Sequence, residues 1–467
     1  MSVSAYDPAR DRFVGILVLL VLLLAPLFAY AQTVVGKVDF TQGLASAQNG
    51  SAAPRFLNKG DALLEGDVIS TSARGFAIIA FDDGAKITLR PNTVFAVDKF
   101  NQSKGSESAV FRLLRGGFRA LTGAIGKANP RGVQVTTTTA TIGIRGTSFD
   151  TRICEGDCAK ELRPGQKSKP PAAPIVARVA LLQGDSVVLD VKGQSRPITQ
   201  GTPLFNGESV RTERGAWAVL AFRDESKVTV TGESEFKLEN VQFSGARSDS
   251  GSFVVRLLRG GARAITGLLG KRDPSKVNYH AATVTIGMRG TGFDHRIALD
   301  CVAPGNCAQA VFAHVWEGAI ALQSGQQTLL IPLGRAGVFN AAQNRVALLD
   351  QVPQFFLDET APRPDTVEVD FDNLFATTSR QDASSGVYAY VRDGHIHFSG
   401  RKSGIDLGPG ESGYLADGQD TPLRLSATPH FLAEDPIPAP ENFDERTLRL
   451  LEILNPGGNP GDVICEM

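Results

Sequence analysis

Two stretches decide how this chain is read. The first is RLLRGGFRALTGAIGKANP, followed after two residues by VQVTTTTATIGIRGTSFDTR, spanning Arg112 to Arg152. The second is RLLRGGARAITGLLGKRDP, then VNYHAATVTIGMRGTGFDHR, spanning Arg256 to Arg296. Gly117 maps onto Gly261, and Gly146 onto Gly290, at one constant offset, so one supersecondary unit is used twice. Ala140, Ile142 and Ile144 alternate with Thr139, Thr141 and Gly143; Val284, Ile286 and Met288 alternate with Thr283, Thr285 and Gly287. Period-two alternation of apolar, β-branched residues predicts a half-buried strand. Each strand runs into Arg145-Gly146-Thr147 or Arg289-Gly290-Thr291, where the glycine predicts a bulge or a close backbone approach.

The chain has 467 residues, 42% of them hydrophobic and 21% charged, enough for packed cores in several domains. Its formal net charge of -1 argues against a dedicated nucleic-acid binder. Glycine-rich turn clusters favour many short strands. Arg10 and Arg12 precede an apolar run from Phe13, and Ala29-Tyr30-Ala31 is a small-x-small cleavage signature. This predicts a signal peptide over 1–31, with Ala29 and Ala31 at the cleavage site. The alternative is a retained anchor, because Phe13 to Tyr30 is just long enough to span a bilayer. No second spanning segment follows, so the mature chain is expected in the periplasm or secreted.

In the first copy, FAIIAF and KITL flank Asp82-Asp83-Gly84, a strong hairpin signal in which Gly84 supplies a positive φ. Lys59-Gly60-Asp61, Asp83-Gly84, Leu89-Arg90-Pro91-Asn92, Leu114-Arg115-Gly116-Gly117 and Thr139 to Phe149 together resemble the FecR family of bacterial envelope domains. The second copy carries the pattern as Gln200-Gly201-Thr202, Leu258-Arg259-Gly260-Gly261 and Thr283 to Phe293. It departs at Asp224-Glu225, where the family has Asp-Gly, so that hairpin is expected to use another turn. The resemblance implies an all-β fold of tandem β-sandwich or β-roll, solenoid-like domains, to which the residues near the C-terminus add a short helix. Regulatory members of the family carry a cytoplasmic anti-sigma segment before the membrane. About a dozen residues stand there in this chain, too few for a domain, so transmembrane signalling is not carried over.

The expected organisation is a first FecR-like domain over 32–160 and a Pro/Lys-rich linker over 161–174. A second FecR-like domain follows over 175–345, then an acidic loop or edge segment over 346–385. A partial β repeat over 386–440 and a helix with tail over 441–467 complete the chain. The helix would be capped at Asn442, with Glu445 three residues on. The partial repeat is visible because VFAHVWEGAIAL from Val311 aligns with VYAYVRDGHIHF from Val387. The family resemblance implies that such strands complete the roll begun before Arg-Gly-Thr.

Chemistry is sparse. GAIGKA at Gly123 to Ala128 lacks the earlier glycine and the Ser or Thr of a phosphate loop, and no nucleophile elbow or zincin helix occurs. His395 and His397 face one side of a strand as a pair expected to be exposed, with no third metal ligand identified. Cys154 with Cys158, and Cys301 with Cys307, occupy equivalent places and read as two local disulfides in an exported chain. A shared zinc site is the alternative, and Cys465 is odd. Arg112, Arg115, Arg119, Arg256, Arg259 and Arg263 make half of each repeat basic, whereas the chain beyond Asp350 is acidic. The arginines either bind an anion, or form a solvated face or dock with the acidic parts of the same molecule. No cofactor, resident metal or catalytic residue is expected. The reading is a non-catalytic envelope protein acting as a binding, scaffold or sensory module, with an envelope protein or an anionic polymer as partner. A carbohydrate or anionic-polymer binder and an enzyme on a β-scaffold are the alternatives.

Overall fold

The computed structural model describes residues 33–129, 132–161, 174–243, 251–288, 290–303, 306–378 and 384–440. The predicted signal peptide with Ala29 and Ala31, nearly all of the linker, the predicted C-terminal helix and Cys465 lie outside the described residues. What is described is mostly β, and the helices are single short turns. No described helix is long and apolar enough to cross a membrane.

The first hairpin forms where Phe76–Phe81 and Lys86–Leu89 pair across Asp83-Gly84. Gly84 has φ +83, and its amide donates to the Phe81 carbonyl at 3.0 Å. In the second copy Trp217–Phe222 pairs with Lys227–Val230. The expected change of turn does not occur. Glu225 adopts φ +66, and its amide donates to the Phe222 carbonyl at the same 3.0 Å. A left-handed glutamate costs roughly 1–2 kcal/mol. The buried Asp224 offsets this cost by accepting from the Ser226 amide (3.1 Å) and hydroxyl (2.8 Å). The Leu268 amide, opening the short helix Leu268–Arg272, donates to the Asp224 carbonyl at 2.6 Å. The helix lies so close that a Cβ on Gly267 would stand 2.0 Å from that carbonyl oxygen. Neighbouring structure fixes the turn and overrides the local preference of residue 225.

The second unit is two nine-stranded sheets enclosing one apolar core. The chain passes back and forth between the sheets as it advances along them. Its pairs are antiparallel, except that Gly251–Arg259 runs parallel to Val277–Ala281. Val284–Met288 belongs to one sheet and Gly292–Ala303 to the other. The Arg-Gly-Thr segment is therefore where the chain changes sheet. The second sheet continues into Asn306–Glu317 and the first into Ala319–Ser324, so consecutive strands close this unit.

The first unit repeats the plan with one difference. Its Arg-Gly-Thr strand is continuous, Thr141–Cys154, with register shifts around Arg145 and Ser148. The strand beside it is Gly386–Ser399, from beyond the whole second unit. Ile144 faces Ile396, and Thr151 faces Ala389. Gly404–Leu407, Ser412–Ala416 and Leu423–Leu425 extend the same sheets. The repeats are tandem in sequence and nested in the fold: the second unit is inserted between the body of the first and the strands that close it. The alternating faces are buried as their pattern requires, from Ala140 (4% exposed) through Ile142 (0%) to Met288 (3%).

Both cores use the same space with different residues. Phe118 packs on Phe95 and Phe149 in the first unit. The second has Ala262 there, and Tyr279 reaches Phe236 and Phe293 from a different strand. A large–small exchange across facing positions conserves core volume. Between the units, the segment expected to be an acidic loop or edge carries the short helices Gln354–Leu357 and Phe371–Phe375, and one isolated bridge, Thr378 to Leu425.

Candidate functional site

The polar groups of the repeats converge on two kinds of place: an Arg–Asp pair inside each unit, and a junction between units. Arg119 and Asp150 sit opposite each other on paired strands. Arg119 Nε meets Asp150 Oδ1 at 2.6 Å, with both side chains buried. Burial pushes the Asp150 carboxyl up, against the opposing pull of Arg119 and Arg392. Arg392 Nε reaches Asp150 Oδ2 at 2.7 Å. The remaining face of Arg119 donates to the Ile437 carbonyl at 2.8 Å, and Arg90 pairs with Asp435. The chain after the closing strands is thus clamped onto the first unit.

The second unit has the same device. Arg263 Nε meets Asp294 Oδ1 at 2.9 Å, and Arg263 Nη1 donates to the Ala361 carbonyl at 2.8 Å. Trp316 takes the place of Arg392 and donates its indole N–H to Asp294 Oδ1 at 3.1 Å. A Cβ on Gly292 would lie 2.0 Å from that indole ring. Arg363 stacks over the same ring at 4.1 Å and pairs with Asp365 at 2.6 Å.

The arginines proposed from sequence as an anion site therefore divide. Arg119 and Arg263 are buried in ion pairs. Arg112 reaches Asp98, and Arg256 reaches Glu239, both at 2.5 Å. Arg115 and Arg259 stand at the exposed tips, beside Leu114 (39% exposed) and Leu258 (43%). Arg115 Nε donates to the Asn92 carbonyl at 3.2 Å. Both tips end in a positive-φ glycine, Gly116 and Gly260, each at φ +77. The basic segments and the acidic C-terminal third meet within the molecule, through Arg90–Asp435 and Arg296–Glu359.

At the junction, Arg178 of the second unit is 1% exposed and pairs with Glu411 of the closing segment. Arg178 Nη1 also donates to the Gly201 carbonyl at 2.9 Å. Arg424 Nε lies 3.2 Å from Glu411 Oε1, and its Nη2 donates to the Asp406 carbonyl at 3.0 Å. Burial lowers the Arg424 guanidinium to about 10, with neighbouring Arg178 acting the same way. His395 Nε2 and His397 Nδ1 share Asp406 Oδ1 at 3.1 and 3.0 Å. Burial alone would raise the Asp406 carboxyl, but those two hydrogen bonds outweigh it and hold it well below the usual range. The histidine pair faces one way, as the strand period requires. His395, however, is buried at 7% exposure, because the strand leads into the junction. The packing is tight: a Cβ on Gly201 would lie 2.4 Å from Asp406, and one on Gly408 would lie 2.2 Å from Pro203. Sequence reasoning missed Arg178, Glu411 and Arg424. Their pairing spans separate parts of the chain, and no local pattern marks it.

Cys154 and Cys158 form a buried disulfide, with Cα atoms 5.6 Å apart. The only metal-type cluster among the described residues is this pair with Asp157, and the disulfide occupies both sulfurs. Cys301 and Cys307 face each other in backbone register across the paired strands; their side chains lie outside the described residues. So do the side chains of Arg145, Gly146 and Thr147, and all of Arg289. Gly290 has φ +61 with open space where a Cβ would stand, so backbone conformation and not crowding favours glycine there. Thr291 is buried, and its hydroxyl donates to the Ala319 carbonyl at 2.8 Å.

None of the curated proteins matches this chain. Two solved structures of a "putative anti-sigma factor from Parabacteroides distasonis" are similar to it at 9% identity and a TM-score of 0.24. The similarity covers 32% of this chain and 62% of that one, under two thirds of that protein's length. The family model described as "FecR protein" matches twice, over residues 67–165 and 208–320. Neither matched segment includes Gly386–Ser399, the strand that closes the first unit. The chain carries two FecR family domains, one over 67–165 and one over 208–320.

Proposed function

We propose that this protein is a non-catalytic, exported binding scaffold of the bacterial envelope that presents two equivalent Leu–Arg tips to a protein partner. The observation that carries this reading is the fate of the arginines. Arg112, Arg119, Arg256 and Arg263 pair with acids inside the molecule. What each repeat still offers at its surface is a half-apolar tip, Leu114–Arg115 and Leu258–Arg259. Apolar and arginine side chains together suit a protein surface better than a polyanion, which is bound mainly by charge. Export rests on the signal-peptide pattern that ends at Ala31.

Photo-crosslinkers placed at Leu114 and Leu258 in the intact envelope test the reading. One shared protein adduct at both positions is expected, and N-terminal sequencing of the envelope form should start at Gln32. Failure of both positions to give a protein adduct overturns the partner assignment. Retention on isolated envelope polysaccharide that disappears with salt, or on Arg115→Ala with Arg259→Ala, would instead support the anionic-polymer alternative.

A further inference from the structure

The contact between the two units joins unlike ends: the closing end of the first unit meets the opening end of the second. Because the units are copies, the molecule also carries an opening end on the first unit and a closing end on the second. Equivalent residues follow from backbone pairing. Lys37 lies opposite Ala62 and Ala80, as Arg178 lies opposite Pro203 and Ala221. The Val315 amide donates to the Arg335 carbonyl as the Val391 amide does to that of Glu411. Leu348 lies opposite Gly337, as Arg424 lies opposite Gly413. Leu330 lies opposite Ala321, as Asp406 lies opposite His397.

Both of these remaining ends are uncovered among the described residues. Gly60, the counterpart of the crowded Gly201, has nothing within 4 Å of where its Cβ would stand. On the second unit's closing end, leucines replace two of the charges, Leu330 (58% exposed) for Asp406 and Leu348 (43%) for Arg424, and Leu333 (63%) stands in the place of Pro409. The first unit's opening end exposes Val34 (52%) beside Lys37. One pair of opposite charges at the junction recurs with signs exchanged. Arg223 and Glu411 line one cavity there. Their counterparts are Asp82 and Arg335, both exposed. Lys37, in the place of the buried Arg178, meets like-charged Arg335, and its flexible stem must carry the ammonium out to solvent at the rim of such a contact.

We propose that a second copy of this chain docks its first unit's opening end onto the Leu330–Leu333–Leu348 end of the second unit. The contact would repeat the internal junction between molecules. A contact between unlike ends that does not close on itself builds an open chain of subunits. The apolar replacement fits a contact that must form without the covalent connection available inside one chain, since leucines at the places of Asp406 and Arg424 remove two charges that the internal junction buries.

Sedimentation of the protein recovered from the envelope fraction tests this across a concentration series. The average mass should climb with concentration past that of a dimer, and Leu330→Asp with Leu348→Asp should hold it at the monomer. Those leucines are exposed, so the double variant should melt with the wild type; this separates lost assembly from lost folding. Two differently tagged copies, one Asp82→Cys and one Arg335→Cys, should be joined to each other by a flexible bis-maleimide cross-linker. A monomer at every concentration overturns the proposal. So does a dimer-limited species that cross-links only Arg335→Cys to Arg335→Cys.

Discussion

The two FecR units have nearly the same wiring and different ways of closing. In the second, Gly292–Ala303 turns directly into its neighbour Asn306–Glu317. In the first, Thr141–Cys154 takes its neighbour Gly386–Ser399 from across the inserted unit. The ladder is equally regular in both, so adjacency in the chain is not what selects the strand partner. Matching alternation and the sheet-changing corner do that: the closing strands carry Gly394 and Gly318 at φ +79 and +70 beside the Arg-Gly-Thr segments. The price of remote closure is kinetic as well as structural, because loop closure must precede the reward of pairing. The inserted unit is therefore expected to fold first, and the other unit to complete its core only with the C-terminal strands.

The sharpest way to break the comparison is truncation. A chain ending at Phe375 keeps all strands of the second unit and removes the closing strand of the first. Hydrogen exchange should then show 133–154 unprotected and 277–332 still protected. Protection of 133–154 in the truncated chain would mean that remote closure is dispensable.

The next test compares the two buried aspartates. Asp150→Ala strands two guanidinium groups, Arg119 and Arg392, and should cost about 3–5 kcal/mol, the range for an uncompensated buried charge. Asp294→Ala strands one guanidinium and an indole N–H and removes the carboxylate 3.5 Å from His314 Nδ1, and it should cost less, read as a smaller loss in urea midpoint for the second unit. Equal losses would show that Trp316 and Arg392 contribute alike.

Acid should separate the units next. His295 of the second unit stands where the first has Thr151. It is 1% exposed, packed against Phe293 and Tyr279. Burial lowers its pKa to about 4, and neighbouring Asp294 offsets only part of that. The folded imidazole stays neutral while the unfolded one takes a proton below its ordinary value of 6.5. Stability of the second unit should therefore fall as pH drops from about 6.5 towards about 4, by up to about 3 kcal/mol, and the loss should level off below. His295→Thr should remove that slope from its melting profile. A slope unchanged in the variant would assign the acid sensitivity elsewhere.

The smallest effect concerns the paired turns. Glu225→Gly should raise stability by about 1 kcal/mol by relieving a left-handed glutamate, and Gly84→Ala should lower it by a similar amount. A neutral Glu225→Gly would mean that the Asp224 and Gly267 contacts absorb the whole strain.

Much of this protein was legible in its residues. The repeat at constant offset, the alternation at Ala140 to Ile144 and Val284 to Met288, the local Cys154–Cys158 pair and the FecR motif order are all short-range signals. Each reflects an interaction within a few residues or a periodic burial pattern, and such features survive in a linear string. Alignment of the Val311 and Val387 segments showed that they repeat each other, and the family resemblance implied that each completes a roll. Which unit each one closes was not legible. Nor was the turn at Glu225, where a buried aspartate and a helix packed against Gly267 outweigh the preference of one residue. The arginines mark the same boundary. Their clustering is plain in sequence, but whether Arg119 meets solvent or Asp150, and Arg178 meets a ligand or Glu411, depends on strands far apart in the chain. A buried charge is set by the partner that tertiary structure delivers to it, and composition carries no record of that partner.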